Sequence, residues 1–559
     1  MCDATKPFCR ACLRLGLECA GYARSRLRFK DETVRYLGKP PAQVTRVSNR
    51  NEQLAKMIPI RNTIPLSPSH SPQDLAVSFF LTYVTDVGRS LESTRGFLEF
   101  VRPALASEKP SSALFAAVNA VALKVWTTMG HNNVSDSLAI QSLGQALVRL
   151  HQATNDPEER THDATVLAAL VLQMHDTLSA VSGQAKAMAT HRHGAFALLS
   201  QRDDNTHGSK FHAYLVGNLL HARVSRSVKT NNTLSSTELK WLKTHVMPVL
   251  PMNPSSLLDV IGVDIAGLQH DFCSPSLAPH TRPPRLRELR ERVQRLDVRL
   301  QRWIKSIPPL WYPRRMQSRN GIDPSIETYH GACDIYPSMQ IVNIWNTWRI
   351  YRLILEQAKS RLITLLDFSW NELSSTQNDI NPGDVTRQVQ ELVDSICFSI
   401  PFYLGSCTRS GILANMENPH NKFPSYHDLS PSDEAFLEYT MSDHYVSRFD
   451  HSRHVNLHGP LHIVSILSQL IGLLVRERNS NEVYSLQQDQ ERWIAGHTAL
   501  KEPLTQSQCS MNGIMTPVGA CDTTQISGCG RQKANEIIHE AEPSRPEPTP
   551  TIFDRSARL

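Results

Sequence analysis

The chain has 559 residues, 40% hydrophobic and 20% charged, which supplies enough apolar material for a sizeable core and excludes a wholly disordered polymer. Its net charge of +6 is unevenly placed: residues 1–56 hold twelve Lys or Arg against five acids, so this tenth carries +7 and the rest sums to −1. A basic arm on a near-neutral body is the layout of a protein that meets a polyanion at one end.

The arm opens on Cys2, Cys9, Cys12 and Cys19, four of the eleven cysteines, spaced C-x6-C-x2-C-x6-C. A Cys-x2-Cys turn aims two sulfurs at one point and the flanking cysteines can fold back to it, so four thiolates this close suit one tetrahedral zinc ion. No charged-then-apolar run with a small-residue cleavage site stands at the N-terminus, so a reducing compartment is expected. The other seven cysteines are scattered singly, as inert thiols are. Residues 23–70 read as a basic linker that becomes Pro- and Ser-rich and ends in Pro65-Leu-Ser-Pro-Ser-His-Ser-Pro72, where prolines block helix propagation.

The body is expected over residues 71–500. Ser71-Pro72-Gln73-Asp74 is a helix start, with Ser71 as N-cap and an acid at its N3 position. Leu75, Phe79, Phe80, Tyr83 and Val87 then recur at helical spacing. Further helical patterns cover 111–129, 138–150, 164–181, 185–199 and 211–224, and period-two runs of β-branched residues are nearly absent. The fold class is therefore mainly α, a large helical bundle or solenoid-like stack behind a small partial zinc module.

Leu286, Leu289, Val293, Leu296, Leu300, Trp303 and Ile307 form a heptad seam among eight Lys or Arg. A dimerising coiled coil and a second basic patch are open readings; a long helix packed in the bundle with a solvated basic face is favoured. The apolar stretch Ile463–Val475 is too short for a bilayer, which needs roughly 20 residues, so no membrane is expected. His451, His454, His458 and His462 would share one stripe if their segment were helical, but Gly459-Pro460 argues for a break there. No phosphate-binding loop, H-E-x-x-H or G-x-S-x-G motif appears, which points away from an enzyme with catalytic residues. Residues 501–559 have the composition of a disordered tail, with a short helix at most near 531–541.

The first nineteen residues resemble the fungal binuclear zinc cluster, C-x2-C-x6-C, a loop, then C-x2-C-x6-C. Cys9, Cys12 and Cys19 match its second half, and Cys2-Asp3 with Lys6-Pro7 match the last cysteine of the first half and the proline-bearing loop. The first C-x2-C and the basic helix after it are absent from the chain. The resemblance implies that Cys9 bridges two zinc ions in the whole cluster, with Cys12 and Cys19 terminal on one and Cys2 on the other; with four thiolates, at most one zinc is expected here. It also implies that base reading belongs to the missing helix, while Arg10 and Arg14 contact the DNA backbone. Arg24, Arg26, Arg28 and Lys30 are candidates for further phosphate contacts, which add affinity without sequence information.

His193–Arg202, Gln340–Arg352, Ile396–Gly405, Gly459–Val464 and Gln490–Ala495, in that order, resemble the regulatory domain that accompanies such clusters, with Gly459 where the pattern calls for a tryptophan. The implied protein is a nuclear transcriptional regulator that binds zinc and DNA, alone, as a homodimer or with a related regulator. The missing half-cluster is expected upstream of Met1; the alternative is a non-DNA-binding regulatory protein that has lost it.

Overall fold

The computed structural model describes residues 71–85, 93, 96–129, 135–181, 189–202, 211–274, 277, 283–317, 321–369, 382–406, 418, 420–478 and 486–498. The first helix, α1 (Pro72–Phe79), starts as its sequence dictates: the Ser71 hydroxyl accepts the Asp74 amide at 3.1 Å, with proline at the first helical position. It runs into a π-helical stretch, Phe80–Thr85. Phe79, Phe80 and Val84 are buried, whereas Leu75, expected on the buried face, is exposed.

Helices α2 (Leu98–Ser107), α3 (Ala113–Thr128), α4 (Asp136–Asn155), α5 (Asp163–Val181) and α6 (Thr190–Ser200) follow. Serines cap α3 and α4, where Ser112 and Ser135 each accept an amide at 3.3 Å. With Leu114, Ala117, Val118, Val121, Ala122 and Leu123 all buried, α3 is apolar around its circumference and sits inside, packed by α1, α4 and α5. Next come α7 (His212–Thr230), ended by Asn231 in the left-handed region, α8 (Ser236–Trp241), opened by a Ser235/Glu238 capping box, and α9 (Pro254–Cys273), capped by Asn253.

The heptad seam is carried by helix α10 (Pro283–Ser306) and the residue that follows it, and all seven seam residues from Leu286 to Ile307 are buried within the chain. It lies on α9 and α11 (Met339–Ser369), so the seam is spent on the chain's own core and not on a coiled-coil partner. Several arginines are ties rather than a free basic face: Arg292 reaches Asp271 at 2.5 Å and Arg299 pairs with Asp264, both on α9. Arg287, Arg295, Arg302 and Lys305 remain exposed.

One small sheet interrupts the helices. Strands β1 (Arg314–Gln317) and β2 (Ala332–Ile335) pair antiparallel with Arg314 opposite Ile335 and Gln317 opposite Ala332. Four-residue strands give too little period to read from sequence, and β2 is buried at every position because it packs on α12 (Pro382–Leu404).

Helix α11 spans 31 residues, about 46 Å at 1.5 Å per residue, and joins the middle of the body to its C-terminal part by packing on α9, α10, α12 and α14. Its tryptophans place their N–H groups on backbone carbonyls, Trp345 on Trp311 at 2.6 Å and Trp348 on Leu300 at 3.2 Å. The short α13 (Glu434–Thr440) leads to α14 (Arg448–Arg478), and α15 (Gln488–Thr498) packs on α12 and α14.

Helix α14 overturns two expectations. It runs unbroken through Gly459-Pro460 for 31 residues, and so joins the histidine segment to the apolar stretch that follows. By length and composition Arg448–Leu474 is therefore long enough to cross a membrane, with a mean hydropathy of 1.5 in its most apolar window. Its Val455, Ile463, Ile466, Leu467, Leu470 and Leu473 are nevertheless buried in the core of this body, where they face α11, α12 and α15.

Candidate functional site

Cys2, Cys9, Cys12 and Cys19, and the basic residues Arg10, Arg14, Arg24, Arg26, Arg28 and Lys30, all lie outside the described residues, as do the linker and the C-terminal tail. Among the described cysteines, Cys333 and Cys397 are buried and burial pushes both thiols well above their ordinary range, which suits inert thiols.

The helical body holds a polar chain that joins β2, α11, α12 and α14 through its interior. Arg349, on α11, donates to Asn346 Oδ1 at 2.7 Å and to the Tyr336 hydroxyl at 2.9 Å, and lies 3.9 Å from Asp334 of β2. Asp334 is held again by Arg315, whose guanidinium stacks 3.5 Å from the centre of the Phe398 ring. Asn346 Nδ2 donates to Ser399 and to Tyr403 on α12, both at 3.1 Å; the Tyr403 hydroxyl donates to Asn343 at 2.8 Å; and Asn343 Nδ2 lies 3.2 Å from His462 of α14. Such a network specifies one packing of these elements, because each polar group would be costly if stranded. The aromatic residues of α11 are legible in sequence and the network is not; its signal is Asn343, Asn346 and Arg349 at three-residue intervals among the buried apolar residues of the helix's first half.

Because α14 is continuous, its histidines do form a stripe. The rings of His454 and His458 are 4.9 Å apart edge to face, and His458 and His462 are 6.3 Å apart. Among the described residues no three or more His, Cys, Asp or Glu side chains are placed to hold one metal ion. His451 is committed elsewhere, with Nε2 3.0 Å from the Pro424 carbonyl oxygen. Burial pushes the His451 pKa down to about 4. Below the unfolded value near 6.5, the unfolded chain takes up a proton that the native site refuses, so stability falls between pH 6.5 and about 4 and is unaffected above. The change is about 3 kcal/mol. His451→Gln should flatten that limb of a denaturant-midpoint against pH curve; an unchanged slope would assign the effect to other groups.

His451 also lines a cleft of about 630 Å³ between the 321–326 loop, the 421–424 segment and the start of α14. Met316, Ile322, Ile326, Phe423 and Pro424 give it apolar walls. Two ion pairs stand among its lining residues: Lys422 with Asp323, and Arg448 with Asp428 at 2.8 Å.

A family model described as the fungal specific transcription factor domain matches residues 75–368, from α1 to the end of α11 and over more than half of the chain. Comparison with curated proteins and with solved structures gives no match. The structure carries the same core on through α12, α14 and α15, whose Val393, Leu467 and Ile494 join the cluster that α3 and α11 begin. The chain belongs to the fungal-specific transcription factor domain family.

Proposed function

We propose that the chain is a nuclear transcriptional regulator that contacts DNA through its N-terminal cysteine cluster and is regulated through its helical body. The observation that carries this reading is the union, in one chain, of the family match over 75–368 with four closely spaced cysteines and a +7 arm ahead of it. Cys2, Cys9, Cys12 and Cys19 are the zinc ligands, and a four-thiolate donor set is chemically suited to a closed tetrahedral zinc site. Arg10, Arg14, Arg24, Arg26, Arg28 and Lys30 contact phosphates. A second reading is a regulator that acts through protein partners without reading DNA; the family match lies wholly in the helical body, residues 75–368, and not in the cysteine arm.

Metal analysis and DNA titration of the full chain test both. No more than one zinc per chain is expected, lost in a Cys9→Ser/Cys12→Ser variant, and two zincs would refute the ligand assignment. DNA binding should be insensitive to base sequence and fall steeply with salt, with Arg10→Gln and Arg14→Gln each reducing the log–log salt slope by about 1. Absence of any salt-dependent binding would favour the second reading.

A further inference from the structure

We propose that the cleft at the start of α14 is a binding site for a small organic monocarboxylate with an apolar body. The size is right, since pockets of roughly 300–1,000 Å³ hold small ligands. Its walls, with Ile322, Ile326 and Phe423 among them, would cover hydrocarbon or an aromatic ring. The specificity comes from how its two ion pairs are built.

By charge the mouth is neutral, two cations against two carboxylates, yet by hydrogen-bonding capacity it is not. Both oxygens of each carboxylate are already engaged. Asp323 Oδ1 accepts the Ser325 amide at 2.9 Å and the Ser325 hydroxyl at 2.5 Å, while Oδ2 accepts Lys422. Asp428 Oδ2 accepts the Ser425 amide at 2.8 Å as part of a capping box, while Oδ1 accepts Arg448. Local backbone amides therefore anchor the acids, whose side chains are only 22% and 25% exposed. The cations are the reverse. Lys422 and Arg448 are 61% and 56% exposed, and each has several N–H donors beyond the one its acid takes. With one N–H of each cation taken, about six donors remain on Lys422 and Arg448 against about three unused lone-pair sites on the two acids, so a ligand entering this mouth meets a surplus of donors on positive groups. A carboxylate matches that, a bidentate partner for Arg448 within reach of Lys422, whereas an ammonium group does not. The buried His451 ring in the wall adds no positive charge at neutral pH, so the recognition rests on Lys422 and Arg448.

Calorimetric titration of the full chain with octanoate, octanol and octylammonium tests this, beside a series of monocarboxylates from butyrate to decanoate and 3-phenylpropionate. Saturable carboxylate binding is expected, at least tenfold tighter than that of the matched alcohol and ammonium. Arg448→Gln and Lys422→Gln should each weaken octanoate by about tenfold, as expected for loss of a charge-assisted hydrogen bond, and leave octanol unchanged. Both cations are more than half exposed, so neither change should alter the melting temperature of the free protein appreciably. Ile326→Trp, which fills the cleft, should abolish binding of all three probes. Equal affinity for octanoate and octylammonium, indifference of octanoate to both Gln variants, or no saturable binding by any carboxylate in the series would each overturn the assignment.

Discussion

Gly459→Ala is expected to destabilise the protein even though alanine is the better helix former. Gly459 sits in the middle of α14, and a Cβ built on it would lie well under 3.0 Å from the backbone carbonyl oxygen of Tyr403, at the end of α12. The obstacle is backbone rather than the tip of a flexible side chain. It is also fixed, because Gly405, in the left-handed region at φ 52°, and the Gly405 amide to Pro401 carbonyl bond hold the end of α12 in place. Helix propensity favours alanine by about 1 kcal/mol, and forcing α12 away from α14 costs about 1–3 kcal/mol or more, so the clash prevails. Gly144, in α4, is the matched control: it is exposed, with nothing within 4 Å of a built Cβ. Gly144→Ala should stabilise by about 1 kcal/mol and Gly459→Ala should move the denaturation midpoint the opposite way. Gly459→Trp, the residue that the sequence resemblance leads one to expect here, should be worse than alanine. A stable Gly459→Trp protein would mean that α12 and α14 do not meet here as described.

The same position shows why some of the fold was legible in the sequence and some was not. Caps are local, and Ser71 could be read from four residues because its partner is the amide three positions on. The α10 seam was legible because its period persists over three repeats. Gly459-Pro460 was misread as a break because the local rule weighs backbone freedom, whereas the reason for glycine is tertiary: it makes room for a carbonyl that arrives 56 positions earlier in the chain. The hairpin, too short for a period, and the cleft, assembled from three segments spread over residues 316–452, lie beyond local pattern for the same reason. The cysteine cluster is the converse case, a site written wholly in local spacing.

Glu356→Leu should be the most damaging single change among the charged residues of the body. Glu356 is completely buried on α11, and its Oε1 accepts from Arg352 at 2.7 Å and Lys359 at 3.0 Å. Asp297 of α10 accepts from the same two cations, so the four groups form one junction between α10 and α11. At Asp297, burial works to raise the carboxyl pKa, but Arg352 and Lys359 outweigh it and hold the group below its usual range. Removing Glu356 leaves two mostly buried cations sharing one carboxylate, and stranding a buried charge costs about 3–5 kcal/mol. Glu356→Gln should cost less, since an amide oxygen still accepts, and it tests charge apart from shape. The junction as a whole should nonetheless add little net stability: Glu356 Oε2 is buried with no hydrogen-bond partner in the structure, and four groups have given up water to meet. Replacing Arg352, Glu356, Lys359 and Asp297 together by apolar residues of similar volume should therefore recover most of what Glu356→Leu loses. Chemical denaturation of the single, amide and quadruple variants reads all three. If the quadruple variant is no more stable than Glu356→Leu, the ions themselves hold α10 against α11, and the heptad seam beneath them does not suffice.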